Sequence, residues 1–280
     1  MNAGIPRRAW VEQIMGMPIS VHVRGGDPAG EDVEERVAAV FADLCHADAV
    51  LSPYRDDSDL SRWERGDLAF GEADPALAEV MALCDLARAR TNGRFDPRDL
   101  PDPRGGGGPR YDPSGLVKGW AVERAARHLA GLDGAGWCVN AGGDVVVHAP
   151  VGQAPWRVGI EDPEDPGRVT QVVRLRSGAV ATSGTAHRGA HIIDPHTGRP
   201  AAAVRAVTVT GPRLMWADVY ATAAAVQGPA ATGWLDGLDG YEAFLTTVER
   251  DTHTTRGWPA PPPKRWPGMI RCSSSPGLLA

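Results

Sequence analysis

Apolar Ile19, Val21 and Val23 alternate with Ser20, His22 and Arg24, the period of a strand with one buried face. From Glu31 the period lengthens. Val33, Val37, Val40, Phe41 and Leu44 then fall on one side of a helix, and the acids in its first turn suit the helix dipole. Residues 75–90 repeat the helical pattern with Leu77, Val80, Met81 and Cys84 as the stripe; Asp74 is placed to cap this helix, Pro75 to occupy its first position and Gly93 to end it. A further helix is expected just after Lys118, from Val122, Ala125, Ala126 and Leu129, with Gly131 as its stop. Another follows a strand at 207–209 and runs through MWADVYATAAAVQG, residues 215–228. Short strands are expected at 137–139, 156–160, 172–175 and 204–209. Helices and strands mix without a regular βαβ period, which predicts an α+β fold of mixed sheets flanked by helices.

Two stretches have no period. Residues 101–110, with four glycines from Gly105 to Gly108, read as a flexible surface loop, and residues 257–280, rich in Pro and Ser, as a poorly ordered C-terminal tail. One domain is therefore expected over 10–256.

Composition narrows the function. With 280 residues, 42% of them hydrophobic, the chain has ample material for a core. Its net charge of −6 is the wrong sign for a general nucleic-acid binder or for attachment to an anionic membrane, so an anion would be held by a local site. Cys45, Cys84, Cys138 and Cys272 form no CxxC pair, which argues against a zinc site or a disulfide framework. No apolar run has the length of a membrane span, and the start has no signal-like segment; the expectation is a soluble, cytoplasmic chain.

Five segments carry candidate chemistry. DPSGLVKGWAVERA, from Asp112, sets an acid and Lys118 beside a helix N-terminus, where unpaired N–H groups and an ammonium suit a phosphate; an exposed Lys in a helix-entry loop is the plainer reading. ATSGTAHRGAHIIDPHTGRP, from Ala181 to Pro200, gathers three histidines and hydroxyls in a stretch too broken for a regular element. There His191, beside Ile192 and Ile193, is either a base at a pocket mouth or a strand-end histidine bonded to backbone, and Asp194-Pro195 reads as a turn. Asp218 and Thr222 are four apart, on one helix face, and are hard oxygen donors suited to Mg2+; alternatively Asp218 caps the helix and Thr222 bonds back to its carbonyl. Tyr54 offers a ring for stacking or fills the core, and GRFDP, Gly93 to Pro97, is otherwise a turn.

Taken in order, Met15-Gly16, SPYRDDSDLS (from Ser52), GRFDP, DPSGLVKGWAVERA, VNAGGD, TSG, HIIDPHTGRP and ADVYAT resemble the ApbE family of FAD:protein FMN transferases over roughly residues 10 to 250. The resemblance implies an ApbE-like fold and an enzyme that uses FAD and Mg2+ to place FMN on a Ser or Thr hydroxyl of a target protein, releasing AMP. It implies that Met15, Tyr54, Arg94, Phe95, Asp96, Asp112, Lys118 and the backbone at Ile192 contact FAD. The carbonyl of Gly115, with Asp218 and Thr222, would hold the metal, and His191 would be the catalytic histidine. Family targets carry a Ser/Thr-Gly-Ala-Ser/Thr site; the nearest match here, Ser177-Gly178-Ala179-Val180, lacks the last hydroxyl. Two alternatives share the same residues: an FAD pyrophosphatase yielding FMN and AMP, and a non-catalytic FAD-binding protein. The chain departs from the family in its short Gly-rich bridge and in Ala221, which stands where some relatives carry a second acid and predicts weaker metal binding.

Overall fold

The computed structural model describes residues 5–98, 100–101, 108–185, 192–259 and 270–272. β1 (Arg7–Ile14) and β2 (Met17–Gly25) form a hairpin joined by two residues only. Met15 and Gly16 take φ of 54° and 71°, the left-handed pair that lets a tight turn follow the twist of its strands. β2 buries every second residue, as its alternation predicts, whereas β1, at the sheet edge, exposes nearly all of RRAWVEQI and carries no such signal. Next come α1 (Glu31–Leu51), α2 (Asp59–Glu64), α3 (Pro75–Arg90), α4 (Ser114–Ala125), β3 (Ala135–Ala141), β4 (Asp144–His148), β5 (Trp156–Asp162), β6 (Asp165–Leu175) and β7 (Ser177–Gly184). β8 (Ile193–Asp194), β9 (Arg199–Pro200), β10 (Val204–Gly211), α5 (Leu214–Gln227), α6 (Ala231–Leu235), β11 (Glu242–Thr247), β12 (Thr252–Thr254) and β13 (Ile270–Cys272) complete the order.

α3 has the expected bounds because its signals are local. The Asp74 carboxylate accepts the Ala76 N–H at 2.8 Å, Pro75 opens the helix, and the Gly93 N–H donates to the Arg88 carbonyl at 2.8 Å. α4 corrects the expectation that a helix starts after Lys118: it starts at Ser114, so Lys118 lies one turn inside. Gly119 serves packing inside the helix, since a Cβ there would stand 2.8 Å from the Cα of Met215 in α5. Residues 181–184, read as part of a broken stretch, are the end of β7, paired to β10. Residues 102–107 of the Gly-rich loop lie outside the described residues; Leu100 and Arg110 pair across its base.

Eight antiparallel strands form the main sheet in the order β1-β2-β3-β4-β7-β10-β11-β12. α1, α4 and α5 cover one face, and a second sheet, β13-β5-β6, covers part of the other. Successive residues of a strand point to opposite faces. Val146, Ala179 and Ala181 therefore join Leu44, Leu116, Leu214 and Met215 in the helix-side core, while Val145, Val147 and Val180 meet Trp156, Val158 and Ile160 of the second sheet. Each such Val, Leu, Ile or Met side chain contributes about 1.5–3 kcal/mol on burial. By the same pleat Asp144 and Ser183 face the helices. Burial pushes the Cys84 thiol up to about 12, so it packs as an unreactive apolar group. In the C-terminal segment, β13 pairs parallel with β5, and Trp258 stacks on Phe244 at 5.8 Å. Among the described residues no helix is long and apolar enough to cross a membrane.

Candidate active site

A cavity of about 1070 Å3 opens where the first turn of α4 and the middle of α5 meet the end of β7, the Gly142-Gly143 turn and the loops around them. Met15, Tyr54, Arg94, Phe95, Asp96, Asp112, Gly115, Lys118, Ile192, Asp218 and Thr222 all line it. His191 lies outside the described residues.

Each wall has a local cause. The β1–β2 turn presents Met15, a non-glycine residue at positive φ, a strained backbone of the kind that clusters at functional sites. After α1 the chain is knotted by Ser58, whose hydroxyl donates to the Ser52 carbonyl at 2.7 Å and accepts the Ser61 N–H at 3.1 Å. This leaves Tyr54 59% exposed on the cavity wall rather than in the core. After α3, Thr91 donates to the Ala87 carbonyl and accepts the Phe95 N–H at 3.0 Å, which turns Phe95 inward against Gly115. Asp112 accepts the Ser114 N–H at 2.9 Å and so sets the start of α4.

GRFDP is more than a turn, because Asp96 pairs with Arg88 at 2.8 Å and Arg98 at 2.6 Å. Partial burial opposes its charge, but the hydrogen bonds from Arg98 and Arg88 prevail and lower its carboxyl from 3.8 to about 2. The stabilisation is present above the ordinary carboxyl value and is lost as pH falls from about 4 to about 2. Melting temperature followed over that range is expected to fall less steeply in Asp96→Asn than in the parent, and parallel curves would exclude Asp96 as the acid-sensitive group.

The charged centre sits deeper. Asp218 is 2% exposed and Asp144 1% exposed, and the Lys118 ammonium stands between them, 2.5 Å from Asp144 Oδ2 and 3.6 Å from Asp218 Oδ2. Asp144 Oδ1 also accepts the Thr182 N–H at 3.1 Å. Asp218 is no helix cap: Arg213 holds that position, and Asp218 lies a turn into α5, a helix buried on nearly every side. The Thr222 hydroxyl bonds Ser183 at 2.9 Å instead of reaching back to its own helix. Burial raises the Asp218 carboxyl far above its usual range, the neighbouring Asp144 adds to this, and Lys118 works against it.

Asp144 Oδ2 is taken up by the Lys118 ammonium, whereas Asp218 Oδ2, 3.6 Å from the same ammonium, accepts no hydrogen bond among the described residues. A buried carboxylate oxygen with unused lone pairs and a hydroxyl one helical turn on are hard oxygen donors in a wall that Gly115 shares, residues that could hold Mg2+. Among the described residues no group of three or more His, Cys, Asp or Glu gathers, which leaves a mixed donor set as the candidate. Asp144 and Ser183 fall in motifs that the sequence shows, but the sequence assigns neither a role in the site. The acid that closes VNAGGD is the signal for Asp144, and the TSG motif that of Ser183.

The ApbE family model matches residues 15–101 and 105–245. The FAD:protein FMN transferase of Escherichia coli (strain K12) is 30% identical over 175 residues, 59% of this chain and 48% of that protein. That of Rhodobacter capsulatus is 38% identical over 128 residues, 42% of this chain and 24% of that protein. The chain thus spans about half the length, or less, of these curated relatives. Among solved structures, the ApbE protein of Thermotoga maritima superposes with a TM-score of 0.75 at 23% identity, over 90% of this chain and 97% of that one. The flavin transferase ApbE of Vibrio cholerae does so with a TM-score of 0.73 at 21% identity, over 90% and 98%. These superpositions establish a shared fold, and since the family model matches most of the 280 residues, the chain belongs to the ApbE family.

Proposed function

We propose that the chain is a flavin transferase that moves the FMN moiety of FAD onto a Ser or Thr hydroxyl of an acceptor protein, releasing AMP, with Mg2+ as its cation. The observation that carries this reading is the Lys118 ammonium and the buried Asp218 carboxylate in the wall of a cavity large enough for a dinucleotide, with Asp144 behind them. The names of the curated relatives support the same chemistry.

Cleaving the diphosphate of FAD loads negative charge onto phosphate oxygens, so a site for it needs positive potential and a positioned nucleophile. Lys118 and the N-terminal turn of α4 supply that potential from the protein. Asp218, Thr222 and the Gly115 carbonyl would hold Mg2+, which when bound offsets charge on the diphosphate. Tyr54 offers its exposed ring to a planar group. His191 takes the proton of the attacking hydroxyl. The acceptor carries a Ser/Thr-Gly-Ala-Ser/Thr site, and it is another protein: residues 177–180 of this chain lack the second hydroxyl and are hydrogen-bonded into β7.

The test is the intact mass of a candidate acceptor after incubation with FAD, Mg2+ and the protein. Covalent FMN on the acceptor, with AMP released, is the expected result. FMN and AMP with an unmodified acceptor would make the protein a pyrophosphatase, and FAD that stays whole would make it a binding protein. In the same assay His191→Ala is expected to bind FAD but transfer about 10²- to 10⁴-fold more slowly; equal rates would remove His191 from its role.

A further inference from the structure

The Asn140–Asp144 turn delivers a carboxylate that the proposed chemistry does not use. Gly142 and Gly143 take φ of 56° and 101°, and Asn140 Oδ1 accepts the Gly143 N–H at 3.0 Å, so the two-residue connection is locked and Asp144 opens β4 with its side chain on the helix side. There the Thr182 N–H fixes one carboxylate oxygen, and the other holds Lys118 at 2.5 Å. The same ammonium is 3.6 Å from Asp218 Oδ2. An ammonium this close to Asp218 stands where it would compete with a divalent cation for that carboxylate, unless something else draws it away.

We infer that Asp144 is a positioning residue that retains Lys118 and thereby frees Asp218 to take a divalent cation. The inference rests on the metal-site reading above and adds what keeps the lysine out of that site. Asp144 is not a ligand in this scheme. It acts through Lys118, holding the ammonium beside β4, where the charge remains available to a phosphate. Without the Asp144 charge, Lys118 leans on Asp218, and the cation must displace it.

The experiment is direct titration of the full chain with Mn2+, read by the paramagnetic signal of the free ion, in the absence of FAD. Asn is nearly isosteric with Asp and can still accept the Thr182 N–H, so Asp144→Asn should fold, and its thermal midpoint checks this. Its Mn2+ affinity is expected to fall by about tenfold or more, within the ordinary range of coupling between neighbouring sites. Removing the competitor as well, in the Lys118→Met/Asp144→Asn double variant, is expected to restore affinity to near the parent value. Unchanged affinity in Asp144→Asn overturns the proposal. A double variant as weak as the single one overturns it too, because Asp144 would then be a ligand itself. A parent that binds no Mn2+ removes the metal site and this inference together, whereas the other two failures leave the metal site standing.

Discussion

Asp218→Asn is expected to slow FMN transfer by about 10²- to 10⁴-fold at saturating FAD without unfolding the protein. A bound metal ion contributes several kcal/mol to stabilising charge on phosphoryl oxygens, and each ~1.4 kcal/mol is tenfold in rate. The amide keeps the size and one acceptor oxygen of the carboxylate but loses the charge that attracts the cation. Folding should survive because Asp218 is fully buried and its charge is costly there: burial already raises its carboxyl, and Lys118 keeps Asp144 as a partner. A second readout needs no turnover. A cation that binds the folded state alone stabilises it by about 2.7 kcal/mol at a concentration a hundred times its Kd. Mg2+ should therefore raise the melting temperature of the parent and leave that of Asp218→Asn unmoved. Equal Mg2+-induced shifts in both proteins would show that the cation binds elsewhere.

The parts of this molecule that could be read in advance are those whose causes are local. α3 has its cap, its opening proline and its closing glycine within the segment, so its bounds follow from the residues themselves. β2 alternates because neighbouring positions differ in burial. β4 and β7 lose that signal: both faces are covered, one by helices and the other by the second sheet, so DVVVH reads as an unbroken apolar run. The first turns of α4 carry little helical signal because the reason for a glycine at 119, the backbone of α5, is distant in the chain. The site divides in the same way. Asp218 and Thr222 share a helix face, which spacing reveals, but their partners Lys118 and Ser183 come from α4 and β7, and the bond from Thr222 to Ser183 displaces the back-bond that a lone helix would make. Asp144 was least visible, since a Gly-Gly-Asp turn identifies a bend without showing which cation its acid will meet.

That dependence on a distant backbone makes Gly119→Ala the substitution expected to disturb both stability and site. In an exposed helix the change would gain about 1 kcal/mol, since glycine is the poorer helix former. Here the new Cβ would lie 2.8 Å from the Cα of Met215 and 3.2 Å from the Leu214 carbonyl oxygen, both backbone atoms that move only if a helix moves. Overpacking of this kind costs about 1–3 kcal/mol, which outweighs the propensity gain in most of that range. The melting temperature should fall by a few degrees, on the order of 2–4 °C per kcal/mol for a chain near this size. Gly233→Ala in α6 is the control, because nothing lies within 4 Å of its Cβ position and the substitution there should be neutral or mildly stabilising. Relief of the clash also shifts α4 against α5, and the two helices carry opposite sides of the charged centre: Gly115 and Lys118 on one, Asp218 and Thr222 on the other. Mg2+ should accordingly protect Gly119→Ala from heat less than it protects the parent. If Gly119→Ala proves as stable and as well protected as Gly233→Ala, the close approach of the two helices is not what holds the lysine and the aspartate in register.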